Sequence, residues 1–96
     1  MPTYILLVNM TDQGARGVRE IPSRQAASAE LTKALGIKKQ VYMTFGPYDF
    51  VQILEAEDEA SIAKYVLKLN SIGNVRTTTL RAFDEDEHHA LIKGVA

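Results

Sequence analysis

The segment that decides the fold is Thr3–Met10, which reads TYILLVNM. Its large apolar and β-branched residues favour a strand, which ends at the polar pair Thr11-Asp12. Alternation places Ile5 and Leu7 on one face, while the other face carries Tyr4, Leu6, Val8 and Met10. Both faces are apolar, and such a strand is covered on both sides in a folded protein.

The first half of the chain after this strand predicts a helix and a hairpin. Asp12 is expected to cap a short helical turn. A long helix opens at Pro22 and ends at Gly36, with an apolar stripe made of Ala27, Leu31, Ala34 and Leu35. A strand over Ile37–Phe45, a turn over Gly46–Asp49 and a returning strand over Phe50–Ala56 complete the hairpin.

The second half predicts another helix, a last strand and a terminal helix. Asp58 caps the helix, whose stripe is Ile62, Tyr65, Val66 and Leu69. Asn74–Phe83 reads as a strand from its Thr, Val and Phe content. Asp84 followed three residues later by Glu87 resembles a capping box for a helix that runs to about Lys93.

The resulting order is β-α-β-β-α-β followed by a short C-terminal helix. This is the ferredoxin-like arrangement, an α+β fold whose four-stranded antiparallel sheet carries both helices on one face. Half of 96 residues would be too few to hold a core. We therefore predict a single domain over residues 1–96.

Composition excludes several functional classes. Eleven basic and 12 acidic residues give a net charge of −1, which argues against nucleic-acid or anionic-membrane binding. The chain has no cysteine, which removes disulfides, thiolate metal sites and cysteine nucleophiles. The first residues lack the basic region of a signal peptide, and no apolar run approaches a membrane span. We expect a soluble, cytoplasmic protein.

The two apolar faces of the first strand predict an assembly. In a lone ferredoxin-like domain the face away from the helices meets water, and an apolar patch of this size exceeds what monomers usually expose. A second copy that stacks its own bare sheet against this one would cover it. We expect a homodimer or a higher homo-oligomer, with Leu6 or Val8 as candidates for the side that meets the partner.

Three motifs in order along the chain carry a resemblance to a known family. They are Thr11-Asp12-Gln13-Gly14, the Gly46-x-Tyr48-Asp49 turn, and IGNVRTTTLRAF from Ile72 to Phe83. The chain is similar to members of the GYD-domain family from Pro2 to about Glu87. The resemblance implies a fold of the dimeric α+β barrel group. It implies no catalytic residue, because a fold does not determine a reaction.

The last strand holds the best candidates for a ligand site. Alternation places Thr77, Thr79 and Arg81 on one face and Arg76, Thr78 and Leu80 on the other. An arginine beside threonine hydroxyls suits a small carboxylate or phosphate. The alternative is that Arg81 pairs with a protein carboxylate such as Asp49, or with one across a subunit interface.

Three further candidates, Tyr42, Tyr48 and Asp49, lie in or near the hairpin. A phenol beside a carboxylate can orient a ligand or act in acid–base chemistry. Turn geometry alone also selects these residue types, because Asp bonds nearby backbone N–H groups and Tyr packs its ring. We favour the structural role.

His88 and His89 follow four acidic residues, where the resemblance implies more ordinary helix residues. Adjacent helical side chains diverge by about 100°, so the two rings do not readily share one ion. We expect a solvated acidic helix, no metal site and no cofactor.

Two functional hypotheses follow from the sequence. The first is a non-enzymatic oligomeric module that binds a small, possibly anionic molecule or acts in regulation. The alternative is a small cofactor-free enzyme of the oxygenase or isomerase type, with its chemistry in a cleft between sheet and helices. A subunit with a purely structural role in an assembly is a third, plainer possibility.

Overall fold

The predicted order of elements is present in the computed structural model, which describes residues 1–95. The strands are β1 (Thr3–Met10), β2 (Lys38–Met43), β3 (Phe50–Glu55) and β4 (Val75–Ala82). The helices are α1 (Asp12–Arg16), α2 (Ile21–Ala34), α3 (Glu59–Ser71) and α4 (Glu85–Lys93), with a 3-10 turn at Val18–Glu20.

The four strands form one antiparallel sheet in the order β2-β3-β1-β4. β1 lies inside the sheet, where Leu6 is paired with Gln52 of β3 and with Thr79 of β4. The predicted α+β, ferredoxin-like fold is therefore confirmed. No helix within residues 1–95 is long and apolar enough to cross a membrane.

Side-chain caps fix where the helices begin. Asp58 accepts from the Ser61 N–H at 2.7 Å, as predicted for α3. Asp84 and Glu87 form the predicted capping box of α4. The prediction for α1 was one residue late, because the cap is the Thr11 hydroxyl, which accepts from the Gly14 N–H at 3.2 Å.

The core lies between the sheet and the helices. Its buried apolar residues are Tyr4, Leu6, Val8, Ile37, Leu54, Ala56, Ile62 and Tyr65. The predicted stripe of α3 is confirmed, since Ile62 and Tyr65 are buried and Val66 and Leu69 pack against the core. Leu6 and Val8 were wrong candidates for a side that meets a partner, because they lie inside this core.

The inner face of α2 matches the predicted stripe only in part. Leu31 and Leu35 pack against the core as predicted, but Ala27 and Ala34 are exposed, and Arg24 and Ser28 are half-buried on the side facing the sheet. The helix thus turns polar side chains toward the protein interior, which simple apolar periodicity does not anticipate.

The sheet face opposite the helices carries apolar side chains, as alternation predicted. We call this the open sheet face and define its apolar centre by five residues in register on the three strands β3, β1 and β4: Ile5, Leu7, Val51, Ile53 and Leu80. Four of them are half-buried, and Leu80 is 44% exposed.

Candidate functional site

A pocket of about 300 Å³ opens between α2, the end of α3 and the helix-facing side of the sheet. The floor is formed by side chains of the strands, including Val8, Met10, Val41, Phe50, Gln52 and Val75. The walls come from both helices and the segment after α3, including Ile21, Ser28, Leu31, Leu69 and Ile72. Most of the exposed lining surface is apolar, which is typical of small-molecule sites.

The first motif holds the pocket end of the sheet by close contact. Gly14 packs so closely against the backbone just before β4 that a Cβ atom there would lie 2.0 Å from the Asn74 carbonyl oxygen. The Thr11 N–H donates to that same oxygen at 3.0 Å, and the Thr11 hydroxyl donates to the Gly73 carbonyl at 2.6 Å. Gln13 adds a bond from Nε2 to Asn74 Oδ1 at 3.0 Å.

The second motif is attached to the same end of β1. The Asp49 N–H donates to the Val8 carbonyl at 2.8 Å, and Asp49 Oδ2 accepts from the Met10 N–H at 2.7 Å. Asp49 therefore continues the hydrogen bonding with β1 one residue before β3 begins, first through its N–H and then through its carboxylate. Val8 and Met10 both line the pocket. The three motifs therefore meet at the end of β1 that forms part of the pocket floor.

A chain of hydrogen bonds connects the pocket to the core. Lys39 Nζ donates to Ser28 Oγ at 2.7 Å, and Ser28 Oγ lies 2.9 Å from the Tyr65 hydroxyl. The Tyr65 hydroxyl donates to Gln52 Oε1 at 2.7 Å. Since that bond uses the only phenolic proton, Ser28 must donate to Tyr65. The Lys39 ammonium also lies 5.4 Å from the centre of the Tyr65 ring, within cation–π range.

Burial shifts the pKa of both titratable groups in this chain. It lowers the pKa of the Lys39 ammonium, because a charge is less well solvated there than in water. Burial also raises the pKa of the Tyr65 phenol above 10.0, and its bonds with Ser28 and Gln52 oppose that shift. Tyr65 is therefore a neutral hydrogen-bonding group at physiological pH.

Among the cationic residues that line the pocket, Lys39 has the least compensated charge. Arg24 pairs with Glu20 at 3.2 Å and donates to the Gly14 carbonyl at 3.2 Å. Lys68 is exposed to solvent. Lys39 is half-buried, and within residues 1–95 no carboxylate lies within 4.0 Å of its ammonium.

Arg81, the leading candidate from the sequence, lies on β4, at the opposite edge of the sheet from Lys39. The register Lys39–Leu54–Tyr4–Arg81 places the two cations in one row across the sheet, three strand spacings or roughly 14 Å apart. Arg81 does not belong to the described pocket lining. Its guanidinium lies 3.8 Å from Glu87 and 4.3 Å from the centre of the Phe83 ring. Its carboxylate partner in the structure is therefore Glu87, while Asp49 binds the backbone of Met10.

The structure does not bring the other sequence candidates into one cleft. Thr77 and Thr79 share the face of Arg81, as alternation predicted, and the Thr77 hydroxyl accepts from Asn70 Nδ2 at 2.8 Å. Tyr42 lies on the opposite face of the sheet, in register with Val51. The Tyr48 carbonyl accepts from the Thr44 hydroxyl inside the hairpin turn.

The adjacent histidines lie near the start of α4. His88 Nδ1 is 3.4 Å from the Phe83 carbonyl oxygen, and the two rings meet edge to face with centroids 4.9 Å apart. No cluster of three or more His, Asp or Glu side chains suited to a metal ion occurs within residues 1–95.

Sequence reasoning missed Lys39, Ser28, Gln52 and Tyr65 as site residues. Gln52 offered a signal, because it interrupts the apolar run FVQIL and is nevertheless buried. A polar side chain inside a strand core needs a partner, which here is Tyr65. Nothing in the sequence itself linked Lys39 or Ser28 to that partner.

The sheet order, the paired helices and the pocket define a small ferredoxin-like α+β domain with a ligand-sized cavity. Within that class, the chain belongs to the GYD domain family, whose model matches residues 4–92.

Named and solved relatives agree with this placement. The chain is 43% identical over 84 residues to the glutamine synthetase and cystathionine beta-lyase binding protein of Thermus thermophilus, covering 85% of this chain and 88% of the relative. The crystal structure of TTHA0845, also from Thermus thermophilus, matches with a TM-score of 0.58 and 28% identity, covering 88% of this chain and 95% of that one. Hypothetical protein PHS023 from Pyrococcus horikoshii shares the fold, with a TM-score of 0.57, 21% identity, and coverage of 93% and 98%.

Proposed function

We propose that this protein is a non-enzymatic, homodimeric binding module that docks on another protein through the tip of its β2–β3 hairpin. The observation that carries the proposal is the exposure of large apolar side chains at that tip. Phe45 is 97% exposed, and Met43 and Tyr42 are 68% and 56% exposed. We call these three residues the hairpin tip.

The physical case rests on the clustering of these side chains. Single exposed apolar residues are ordinary, but here three large ones lie within four positions, at the end of β2 and in the turn. Tyr42 and Met43 are adjacent in β2 and lie on opposite faces of the sheet, with Phe45 beyond them in the turn. Aromatic and methionine side chains are enriched at the centres of protein interfaces, where they fill pockets on the partner. The hydrogen bonds of the turn hold the patch in place, with the Thr44 N–H bound to the Asp49 carbonyl at 2.9 Å.

The named relative supports a protein partner and suggests which one. That Thermus thermophilus protein is named for binding glutamine synthetase and cystathionine beta-lyase, and this chain is 43% identical to it over 84 residues. We propose that the partner here is an enzyme of the same kind, with glutamine synthetase as the first to test.

Binding to purified glutamine synthetase and cystathionine beta-lyase from the source organism tests the proposal. Each enzyme is immobilised, and the affinities of wild type, Phe45→Ser and Leu67→Ser are measured by surface plasmon resonance. Leu67 is the matched control, because it is an apolar residue 72% exposed on α3, away from the hairpin. We expect Phe45→Ser to weaken binding at least tenfold and Leu67→Ser to leave it unchanged. Equal affinities for all three proteins, or no binding to either enzyme, would contradict the proposal.

The homodimer in this proposal uses the open sheet face. Its apolar centre is bordered by Lys38 and Arg76 on the outer strands and by Glu55, so charges of both signs lie at the rim. A surface that carries both signs around an apolar centre can pair with a two-fold copy of itself. The occupant that we propose is therefore a second copy of this chain.

Sedimentation velocity tests this assembly. We expect a particle of about twice 10.6 kDa for wild type at micromolar concentration. Leu7→Lys should shift the population to monomer, because an unpaired charge in an apolar interface is costly. Leu67→Lys should remain a dimer. A monomeric wild type would refute the assembly without affecting the docking test.

The pocket favours a second function, the binding of a small molecule, with the anionic class as the natural choice. It also lies in the cleft where the alternative enzyme would place its chemistry. Among the described residues its lining includes neither a histidine nor a carboxylate, and the hydroxyls of Ser28 and Tyr65 are bound to each other. These features support a binding pocket over a site where a histidine or a carboxylate abstracts a proton.

A further inference from the structure

We propose that the pocket holds a small amphipathic carboxylic acid, with its carboxylate on Lys39 and its apolar chain against the aliphatic lining. The proposal rests on the small-molecule function proposed above and names the chemical class of the ligand. It is carried by the arrangement around Lys39, which combines an uncompensated cation with an apolar cavity.

The cationic end of the pocket suits an anion. An ammonium group has three donors, and the one described for Lys39 is directed to Ser28 Oγ. A half-buried cation without a carboxylate partner is under-solvated, so an anionic ligand group would supply the missing acceptors. Among the described residues, no aspartate or glutamate belongs to the lining, so no protein carboxylate there competes for this position.

The rest of the cavity determines the remainder of the ligand. Beyond Lys39 the lining surface is mostly apolar, from Val8 and Val75 on the floor to Leu31 and Leu69 on the walls. Such a surface favours a hydrocarbon chain and penalises a polar group without a partner. The volume of about 300 Å³ lies at the small end of ligand pockets, which favours a short acid over a nucleotide.

The same lining excludes amino acids as the preferred class. The α-ammonium of an amino acid would lie within a few ångströms of its own carboxylate and hence near Lys39. The described lining offers it no carboxylate and already contains Arg24 and Lys68. A second cation in this position would be repelled and left unpaired. The pocket should therefore prefer a simple acid over its 2-amino derivative.

Three probes of equal chain length test the ligand class on the wild-type protein. They are octanoate, 1-octanol and 2-aminooctanoate, each titrated by calorimetry and by NMR shifts of the backbone amides. We expect octanoate to bind at least tenfold more tightly than either of the other two, as a charge-assisted hydrogen bond would give. The amides that shift should be those around the pocket, such as Val8, Ser28 and Gln52.

Two lysine variants test the residue. Lys39→Met removes the charge and keeps the apolar stem, while Lys33→Met changes an exposed lysine near the end of α2 that is not part of the described pocket lining. We expect Lys39→Met to weaken octanoate at least tenfold and to leave octanol unchanged, and Lys33→Met to change neither. The probe series on wild type decides the ligand class even where Lys39→Met fails to fold.

The failures are distinguishable. If neither octanoate nor octanol binds, the small-molecule function is wrong and this inference with it. If both bind equally, the pocket binds small molecules but the acid class is wrong. If Lys39→Met folds and binds octanoate as tightly as wild type, Lys39 is not the carboxylate contact and the inference is overturned.

Discussion

Two cations lie on the helix-facing side of the sheet, Lys39 on the edge strand β2 and Arg81 on the edge strand β4, and they differ in what surrounds them. Arg81 is near Glu87 and stacks over the Phe83 ring, so its charge has partners within the chain. Lys39 has the Ser28 hydroxyl and the Tyr65 ring as partners, and no carboxylate of residues 1–95 lies within 4.0 Å of its ammonium. Sequence reasoning favoured Arg81, whereas the structure favours Lys39.

A cation is a candidate ligand contact only where the fold leaves its charge uncompensated. Arg81 comes shortly after three threonines in its strand, which made it conspicuous in the sequence. Its compensation comes from α4, which follows β4 immediately and brings Glu87 beside it. Lys39 draws its surroundings from α2, α3 and β3, which are far apart in sequence.

The largest expected effect concerns the packing that holds the pocket end. Gly14→Ala should lower the free energy of unfolding by about 3 kcal/mol or more, because its Cβ would lie 2.0 Å from a backbone oxygen. Gly94→Ala, near α4, should change it by less than about 0.5 kcal/mol, since its nearest contact is 3.4 Å. Urea unfolding at one protein concentration measures both. Similar losses of stability for the two variants would contradict the close backbone contact described at Gly14.

Two core tyrosines give the next comparison. Tyr65→Phe should cost about 1–3 kcal/mol, because it removes the donor to the buried Gln52 and the acceptor for Ser28. Tyr4→Phe should cost less than about 0.5 kcal/mol, since no hydrogen bond of its hydroxyl is found within residues 1–95. Thermal or urea unfolding distinguishes them. A Tyr4 variant less stable than the Tyr65 variant would contradict the described network.

Removal of Arg81 should have a smaller effect on stability. Arg81→Ala should cost less than about 1 kcal/mol, because its partner Glu87 is partly exposed and the ion pair is long at 3.8 Å. It should also leave octanoate binding unchanged, in contrast with Lys39→Met. A loss above about 2 kcal/mol, beyond the range of exposed ion pairs, or a loss of anion binding would restore Arg81 as the candidate that the sequence favoured.

The smallest expected effect is a pH dependence of stability from Lys39. Its pKa is lowered in the folded state, so the unfolded state binds more protons between that pKa and 10.5. Stability should rise with pH across this window in wild type and rise less in Lys39→Met. The other groups that face Lys39, namely Tyr65, Arg24 and Lys68, are present in both proteins and cancel in the difference. Unfolding at a series of alkaline pH values, with the exposed Lys33→Met as control, measures it.

The fold was largely predictable because its signals are local. The apolar run of β1, the capping residues Asp58 and Asp84, and the turn at Gly46–Asp49 each determine a few neighbouring residues, and their order restricts the topology. The cap of α1 was one residue off, since Thr11 and Asp12 are both good capping residues.

The candidate site was not predictable because it depends on distant contacts. Alternation correctly placed Thr77, Thr79 and Arg81 on one face, but could not tell whether Asp49 or Glu87 would lie near Arg81. The inner face of α2 was misjudged because Arg24 and Ser28 break the apolar period. Both residues line the pocket, where a local rule is expected to fail.

The hydrogen-bond chain from Lys39 to Gln52 has a fixed proton order. A charged ammonium can only donate and the Gln52 oxygen can only accept, so each hydroxyl between them has one orientation. Loss of the Lys39 proton would let its nitrogen accept instead, and the Ser28 hydrogen would then have two directions available. Loss of one proton thus allows two arrangements of the hydroxyl dipoles where the charged chain allows one, and the electric field inside the cavity changes with them.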